Sequence, residues 1–321
     1  VGESITFVEA IRQAQKEILA EYPNAFLIGE GVPDEKAVFG TTKGLKELFP
    51  KQVFDSPVSE NGVAGICIGA ALNGMIPIMT FQRIDFALYA MDQIVNNAAK
   101  WRTMFGSDKP LPIIFRMTVG RGWGQGVQHS QNLEALFAHI PGLRVVVPHD
   151  PQSAYTLLKE AVRAEGPTVF IEHRWLHNCK RNVPKRIDGK GLTIITWGPS
   201  AQVCYDNRNG CELVILNNLT NIELNLSTGR YLIVSDDWRS YGCAAEISAQ
   251  LGESGAKQVK RIACPNRYIP ASHHRSDNYY PSAKMIVQAI NDMTGKNIPL
   301  PPKSDIPHDV DPYVGKVTSL I

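Results

Sequence analysis

The sequence predicts an α/β protein of two α/β domains, each with a mainly parallel sheet. Three observations carry that reading. Short apolar runs alternate with amphipathic segments along most of the chain, the pattern of strands buried between helices. At 321 residues, with 44% hydrophobic and 20% charged residues, the chain has an ordinary globular composition and more length than one core usually gathers. A basic stretch that contains Pro184 and lacks apolar periodicity interrupts the alternation. The resulting division is a first domain over 1–177, a linker over 178–190, a second domain over 191–293 and a proline-rich tail over 294–321.

In order, Phe7 to Leu19 carries Val8, Ile11, Ala14 and Leu19 near helical spacing, and Ala25 to Gly29 is a short apolar run that fits a buried strand. Further strands are expected at Val53-Phe54, Ile76–Thr80, Ile113–Arg116, Leu143–Val147 and Thr168–Glu172, with helices near 62–74, 86–104, 130–138 and 152–164. The second domain offers strands at Leu192–Trp197, Glu212–Leu216, Tyr231–Val234 and Val259–Ile262, with helices near 243–251 and 282–291. Between Thr196 and Cys211 there is room for only a short helix. The tail suits an extended arm or a disordered end.

Composition excludes several classes. A formal charge of +2, with no lysine- or arginine-rich block, argues against nucleic acid and anionic membranes. The six cysteines are scattered, with no zinc-like spacing, so no metal site is expected from them and a reducing compartment is. No apolar run reaches membrane-spanning length and the first residues lack signal-peptide form, so the expected location is cytoplasmic. Small molecules are the default partners.

Two segments carry the chemistry. In Asp55 to Gly65, Glu60 stands at the mouth of a nearly charge-free helix of small residues, Gly62, Ala64, Gly65, Gly69, Ala70 and Ala71. The bland reading is an N-terminus with Ser59 as cap and Glu60 complementing the helix dipole. The small residues favour another: something approaches the helix closely, and a carboxylate facing an apolar cavity can exchange a proton with a ring nitrogen. In Gly120 to Gln131, glycines 120, 122, 124 and 126 surround His129; such a loop can carry a histidine to a ligand, whereas a lone histidine is commonly structural. The loop has neither a Rossmann fingerprint nor a P-loop ending. Phe81, Phe86 and Tyr89 follow a strand, where rings are commonly core but also lie where parallel sheets bind ligands.

Five blocks, Phe26–Gly31, Asp55–Gly65, Met91–Lys100, Gln128–Gln131 and Ala135–Leu143, resemble in order and spacing the E1β subunits of the thiamine-diphosphate-dependent 2-oxoacid dehydrogenases, pyruvate and branched-chain type. The resemblance covers about 5–177, a transketolase-like pyrimidine-binding domain; the second domain resembles the family's C-terminal domain more weakly. It implies that Glu60 bonds the N1′ nitrogen of the aminopyrimidine and relays the proton that activates the thiazolium carbon. It further implies that Phe86 packs on the pyrimidine, that Gln82 lines the same pocket, that Glu30 lies close by, and that His129 faces the substrate. The family fixes the diphosphate through Mg2+ at a Gly-Asp-Gly motif, which this chain lacks. The missing half is therefore expected on an α subunit, in an α2β2 heterotetramer acting on a small 2-oxoacid.

Departures from the family set the alternatives. Ala164 and Gly166 stand where many relatives bind a potassium ion through Asp and Asn, which argues against K+ here. Arg174 to His177 replaces a segment that often holds a tyrosine, and Asp236 to Gly242 replaces a more glycine-rich one. The second domain is shortened, which bears on docking to a lipoyl acyltransferase. The primary expectation is decarboxylation with acyl transfer to a lipoyl group. The alternatives are a carboligase using an aldehyde or ketone acceptor, and a non-catalytic partner subunit.

Overall fold

The computed structural model describes residues 5–120, 125–222, 224, 229–272 and 279–302. Six strands form the first sheet: β1 (Ala25–Ile28), β2 (Val53–Phe54), β3 (Ile76–Phe81), β4 (Ile114–Val119), β5 (Arg144–Val146) and β6 (Thr168–His173). They run parallel in the order β2-β1-β3-β4-β6-β5. β3, β4 and β6 are buried along their whole length, which is why they read as continuous apolar runs without alternation. On one face, α1 (Phe7–Glu21) begins with a capping box in which Thr6 accepts from the Glu9 amide, and it packs against α6 (Pro151–Ala161). On the other lie α3 (Glu60–Leu72) and the segment 84–105. The short helices α2 (Leu45–Leu48), α4 (Trp101–Phe105) and α5 (Glu134–Ala138) fill the connections.

A second sheet has the order β11-β10-β8-β9-β7, built from β7 (Arg186–Ile187), β8 (Thr193–Thr196), β9 (Glu212–Ile215), β10 (Arg230–Trp238) and β11 (Gln258–Cys264). Only β7 is antiparallel. Its helices are α7 (Ser200–Asn207), α8 (Cys243–Glu253) and α9 (Ala283–Thr294). One hydrophobic cluster runs through both sheets, joining Phe115, Phe137 and Val145 to Trp197, Ile233 and Ile247. Beside it, the amide of Val147 donates to the Asn217 carbonyl at 3.0 Å and that of Leu219 to Val145 at 2.9 Å. All six cysteines are free thiols, five of them buried. Among the described residues no helix is long and apolar enough to cross a membrane.

Three local expectations need correction. The single helix expected over 86–104 is instead a 3-10 segment (Ile84–Ala90), a π-helical segment (Asp92–Ala98) and α4. Side-chain amides bridge the π-helical turns, Asn96 donating to the Asp92 carboxylate at 2.9 Å and Asn97 to Gln93 at 3.1 Å, and the segment buries Ile94 and Ala98. The stretch 178–190 contains the edge strand β7, too short to show a period. The helix expected over 130–138 starts only at Glu134. The tail beyond 302, and Gly122 and Gly124 of the glycine-rich loop, lie outside the described residues.

The centre of the first sheet holds a fully buried ion pair. Arg116 on β4 donates from Nε to Glu172 Oε2 at 2.7 Å and from Nη2 to Oε1 at 2.9 Å, across neighbouring strands. Thr118 Oγ1 donates to the same carboxylate at 3.1 Å, and His177 Nε2 lies 3.5 Å from it. Burial alone would push the Glu172 carboxyl up, but the Arg116 charge and the bonds from His177 and Arg116 override it and hold it at about 2. A carboxyl held below its ordinary 4.5 contributes stability that is complete above that value and lost as pH falls toward about 2. Urea unfolding across that acid range should show this loss in the parent and not in Glu172→Gln. Because one charge is then left buried and unpaired, Glu172→Gln should also cost about 3–5 kcal/mol at neutral pH. A neutral-pH cost below 1 kcal/mol would contradict the account.

Candidate active site

In this strand order the chain leaves β1 toward β2 on one side and reaches β3 on the other, so a crevice opens beyond their carboxyl ends. Both strands deliver site residues there: Glu30 follows β1 and Gln82 follows β3. The two connections approach so closely that a Cβ on Gly29 would lie 2.4 Å from the Thr80 carbonyl oxygen, which only glycine avoids. Gln82 Nε2 donates to the Glu30 carbonyl at 3.0 Å, and the Gly31 amide, at φ +69°, donates to Asp55 Oδ1 at 2.9 Å.

Asp55 leads through Ser56 and Pro57 into α3, whose first residue is Glu60. Ser59 holds the N-cap position, yet its side chain makes no capping bond, so simple capping does not account for the Ser59-Glu60 pair. Glu60 is half-buried and lines a recess together with Glu30, Val63, Phe81, Gln82 and Phe86. The recess is shallow, with about 20 Å³ of free volume. The aromatics divide by role: Phe81 is core, Phe86 is half-buried at the recess, and Tyr89 is 72% exposed.

His129 reaches the same place. Its ring stands edge-on to Phe86, with centroids 5.5 Å apart and planes at 83°. The loop closes on itself to do this: a Cβ on Gly120 would fall 2.2 Å from the His129 carbonyl oxygen. Gln131 Nε2 donates to Asp85 Oδ1 at 2.8 Å, tying the loop to the segment that carries Phe86, and Arg83 Nη2 donates to Gln125 Oε1 at 2.8 Å. Burial pushes the Asp85 carboxyl up, against the bond from Gln131 and the charge of His129. The five expected residues, Glu30, Glu60, Gln82, Phe86 and His129, thus come together. Asp85, Arg83 and Gln125 were missed; only adjacency to Phe86 and to the glycine-rich loop could have pointed to them.

Such a constellation, a carboxylate at a helix N-terminus, a flat aromatic wall and an imidazole at its edge, can hold a planar heteroaromatic ring and exchange protons with it. Residues 3–178 match the family described as transketolase, pyrimidine binding domain. The pyruvate dehydrogenase E1 component subunit beta of Rickettsia conorii is 35% identical over 271 residues, 76% of this chain and 83% of that protein. The chain belongs to the E1β subunits of the 2-oxoacid dehydrogenases. Also similar are the 2-oxoisovalerate dehydrogenase subunit beta of Bacillus subtilis, at 33% identity over 83% of this chain and 90% of its own length, and the acetoin:2,6-dichlorophenolindophenol oxidoreductase subunit beta of Cupriavidus necator, at 33% over 87% and 94%. Among solved structures, a split-gene transketolase described as an inactive β4 tetramer superposes with a TM-score of 0.74 over 91% of this chain and 99% of its own, at 18% identity. That likeness is one of fold.

In this E1β chain two glycines separate close approach from mere flexibility. Gly120→Ala should lose about 1–3 kcal/mol by forcing the His129 loop away from Gly120. On α3, a Cβ at Gly69 meets nothing within 4 Å, so Gly69→Ala should stabilise the isolated chain by about 0.5–1 kcal/mol. Urea unfolding of both variants reads the difference, and shifts of the same sign would contradict these contacts.

Proposed function

We propose that this chain supplies the pyrimidine half of a thiamine-diphosphate-dependent 2-oxoacid dehydrogenase, with residues 1–177 as the pyrimidine-binding domain and 191–293 as the C-terminal domain. The observation that carries the proposal is that Glu60 and Phe86 line one recess with His129 edge-on to Phe86. The residues present fit the aminopyrimidine end of the cofactor: Phe86 offers a stacking face, Glu60 a carboxylate for the N1′ nitrogen, and Gln82 and Glu30 the polar rim. When bound, thiamine diphosphate would supply the nucleophilic carbon toward the 2-oxo group. Glu60 holds and returns the proton at N1′, His129 faces the substrate side, and the Gln131–Asp85 bond keeps the histidine loop against Phe86.

The cofactor's other half points to a second chain. The recess is too shallow to enclose such a ligand, and no Gly-Asp-Gly is present to hold Mg2+. Beside Glu60, α3 presents Gly62, Ile66, Gly69 and Leu72 to solvent, with Ile66 61% exposed and neighbouring Val58 74% exposed. An apolar face of small residues at the mouth of the recess suits an α subunit that closes the site in an α2β2 assembly. The product acyl group would pass to the lipoyl group of an acyltransferase. A second reading, cleavage or formation of an acyloin with an aldehyde or ketone partner, is favoured by the acetoin-related relative, which matches 87% of this chain.

Co-expression with an α-type partner should give a complex that turns over a 2-oxoacid, and Glu60→Ala should lower that turnover by about 10²–10⁴-fold with assembly intact. Full activity in that variant would refute the mechanism. A panel of 2-oxoacids offered with either lipoyl domain or an aldehyde separates the two readings, since product formed only with the aldehyde rejects the dehydrogenase.

A further inference from the structure

Asp237, within the segment Asp236 to Gly242, belongs to a buried cluster outside the candidate active site. Glu134 at the start of α5, Asp237 on β10 and Cys243 at the start of α8 are all buried, and one ligand atom from each lies within 4.8 Å of the others. The residues come from both sheets' packing layers. Indole Nε1 of Trp197 donates to Glu134 Oε1, which orients the carboxylate and leaves Oε2 with no partner among the described residues. A second unpartnered atom faces that oxygen: Nε2 of His173, a side chain 2% exposed, lies 3.9 Å from Glu134 Oε2. Around Asp237 the donors are the Ser235 hydroxyl and the Cys243 amide, the latter at 2.6 Å, and no cationic side chain bonds it among the described residues.

We propose that Glu134, Asp237 and Cys243 bind a divalent cation of the zinc class, with water from the adjoining cleft as fourth ligand, and so pin the two sheets together. Two carboxylates and a thiol form a mixed oxygen and sulfur set that suits zinc and its borderline neighbours and disfavours Mg2+ and Ca2+. Tetrahedral bonds of about 2.0–2.3 Å set donor atoms roughly 3.3–3.8 Å apart, so side-chain rotation of about 1 Å closes the site. Coordination releases the Cys243 thiol proton, and any proton held on Asp237, to solvent. Asp237 and Cys243 also line a cleft of about 1040 Å³, between the Leu133–His139 and Cys243–Gln250 segments, through which an ion can enter. The bond from Trp197 supplies the outer support that metal-bound carboxylates require.

The test uses the untagged full chain, stripped with chelator and titrated with Zn2+ and, as a spectroscopic probe, Co2+. The expected results are one Zn2+ per chain by elemental analysis, a cobalt–thiolate charge-transfer band, and a rise in Tm on adding Zn2+ that Mg2+ does not give. Cys243→Ser should abolish the band, and Glu134→Gln, which keeps an acceptor for Trp197, should weaken Zn2+ binding by at least about 100-fold. Failure of the parent to retain Zn2+, or retention at the same stoichiometry and affinity in both variants, would overturn the site.

Discussion

The Arg116–Glu172 pair is the interaction on which the rest of the first sheet, and with it the site, depends. A charge pair sealed in a sheet is tolerated only if every remaining donor and acceptor is matched, and here the matching reaches outward in several directions. Arg116 donates to Gln15 of α1 at 3.2 Å and to the Thr41 hydroxyl, and Thr41 in turn donates to the Val38 carbonyl at 2.7 Å. That bond holds a turn in which Ala37, Val38 and Phe39 all have left-handed φ values of 48°, 43° and 60°. Three such non-glycine residues in succession are costly, and the surroundings over-determine them. The Phe39 ring lies 4.0 Å from the Arg174 guanidinium carbon and 4.7 Å from that of Arg83. Since Arg83 then bonds Gln125, the buried pair is linked through contacts to the loop that carries His129.

The position of the site follows from topology. Parallel strands direct their carboxyl ends to one side, and the reversal of winding between β1 and β3 leaves a crevice that the following loops line. Glu30 and Gln82 flank that crevice because each directly follows its strand, and Glu60 reaches it because β2 lies beside β1 and leads into α3. At the site, Gly29 and Gly120 are positions where backbone approaches backbone too closely for a side chain. The site is thus assembled from four segments distant in sequence, with glycine at its two tightest crossings.

Much of this was legible in the sequence. Apolar runs without alternation marked the buried parallel strands, and the small-residue helix after Glu60 and the glycine-rich loop before His129 marked the site. Less legible were features without a regular period or set by tertiary contact. The π-helical segment Asp92–Ala98 departs from the 3.6-residue period by which a helix is read, and β7 is too short for any period. Arg174 to His177 was visible only as a departure from relatives; in the structure it places Arg174 over Phe39 and His177 beside Glu172, inside the buried network. Asp85 gave no signal of its own, because its role comes from a bond to Gln131 that no local pattern encodes.

The account's central claim is that the Glu60 carboxylate meets the N1′ nitrogen of a bound aminopyrimidine. Calorimetric binding of thiamine diphosphate and its N1′-deaza analogue to the complex formed with an α-type partner, for the parent and Glu60→Gln, closes a double-mutant cycle on that one contact. The account predicts that the deaza analogue is insensitive to the substitution while thiamine diphosphate is not, a coupling of about 0.5–3 kcal/mol. Equal losses for both ligands, leaving no coupling, would contradict it.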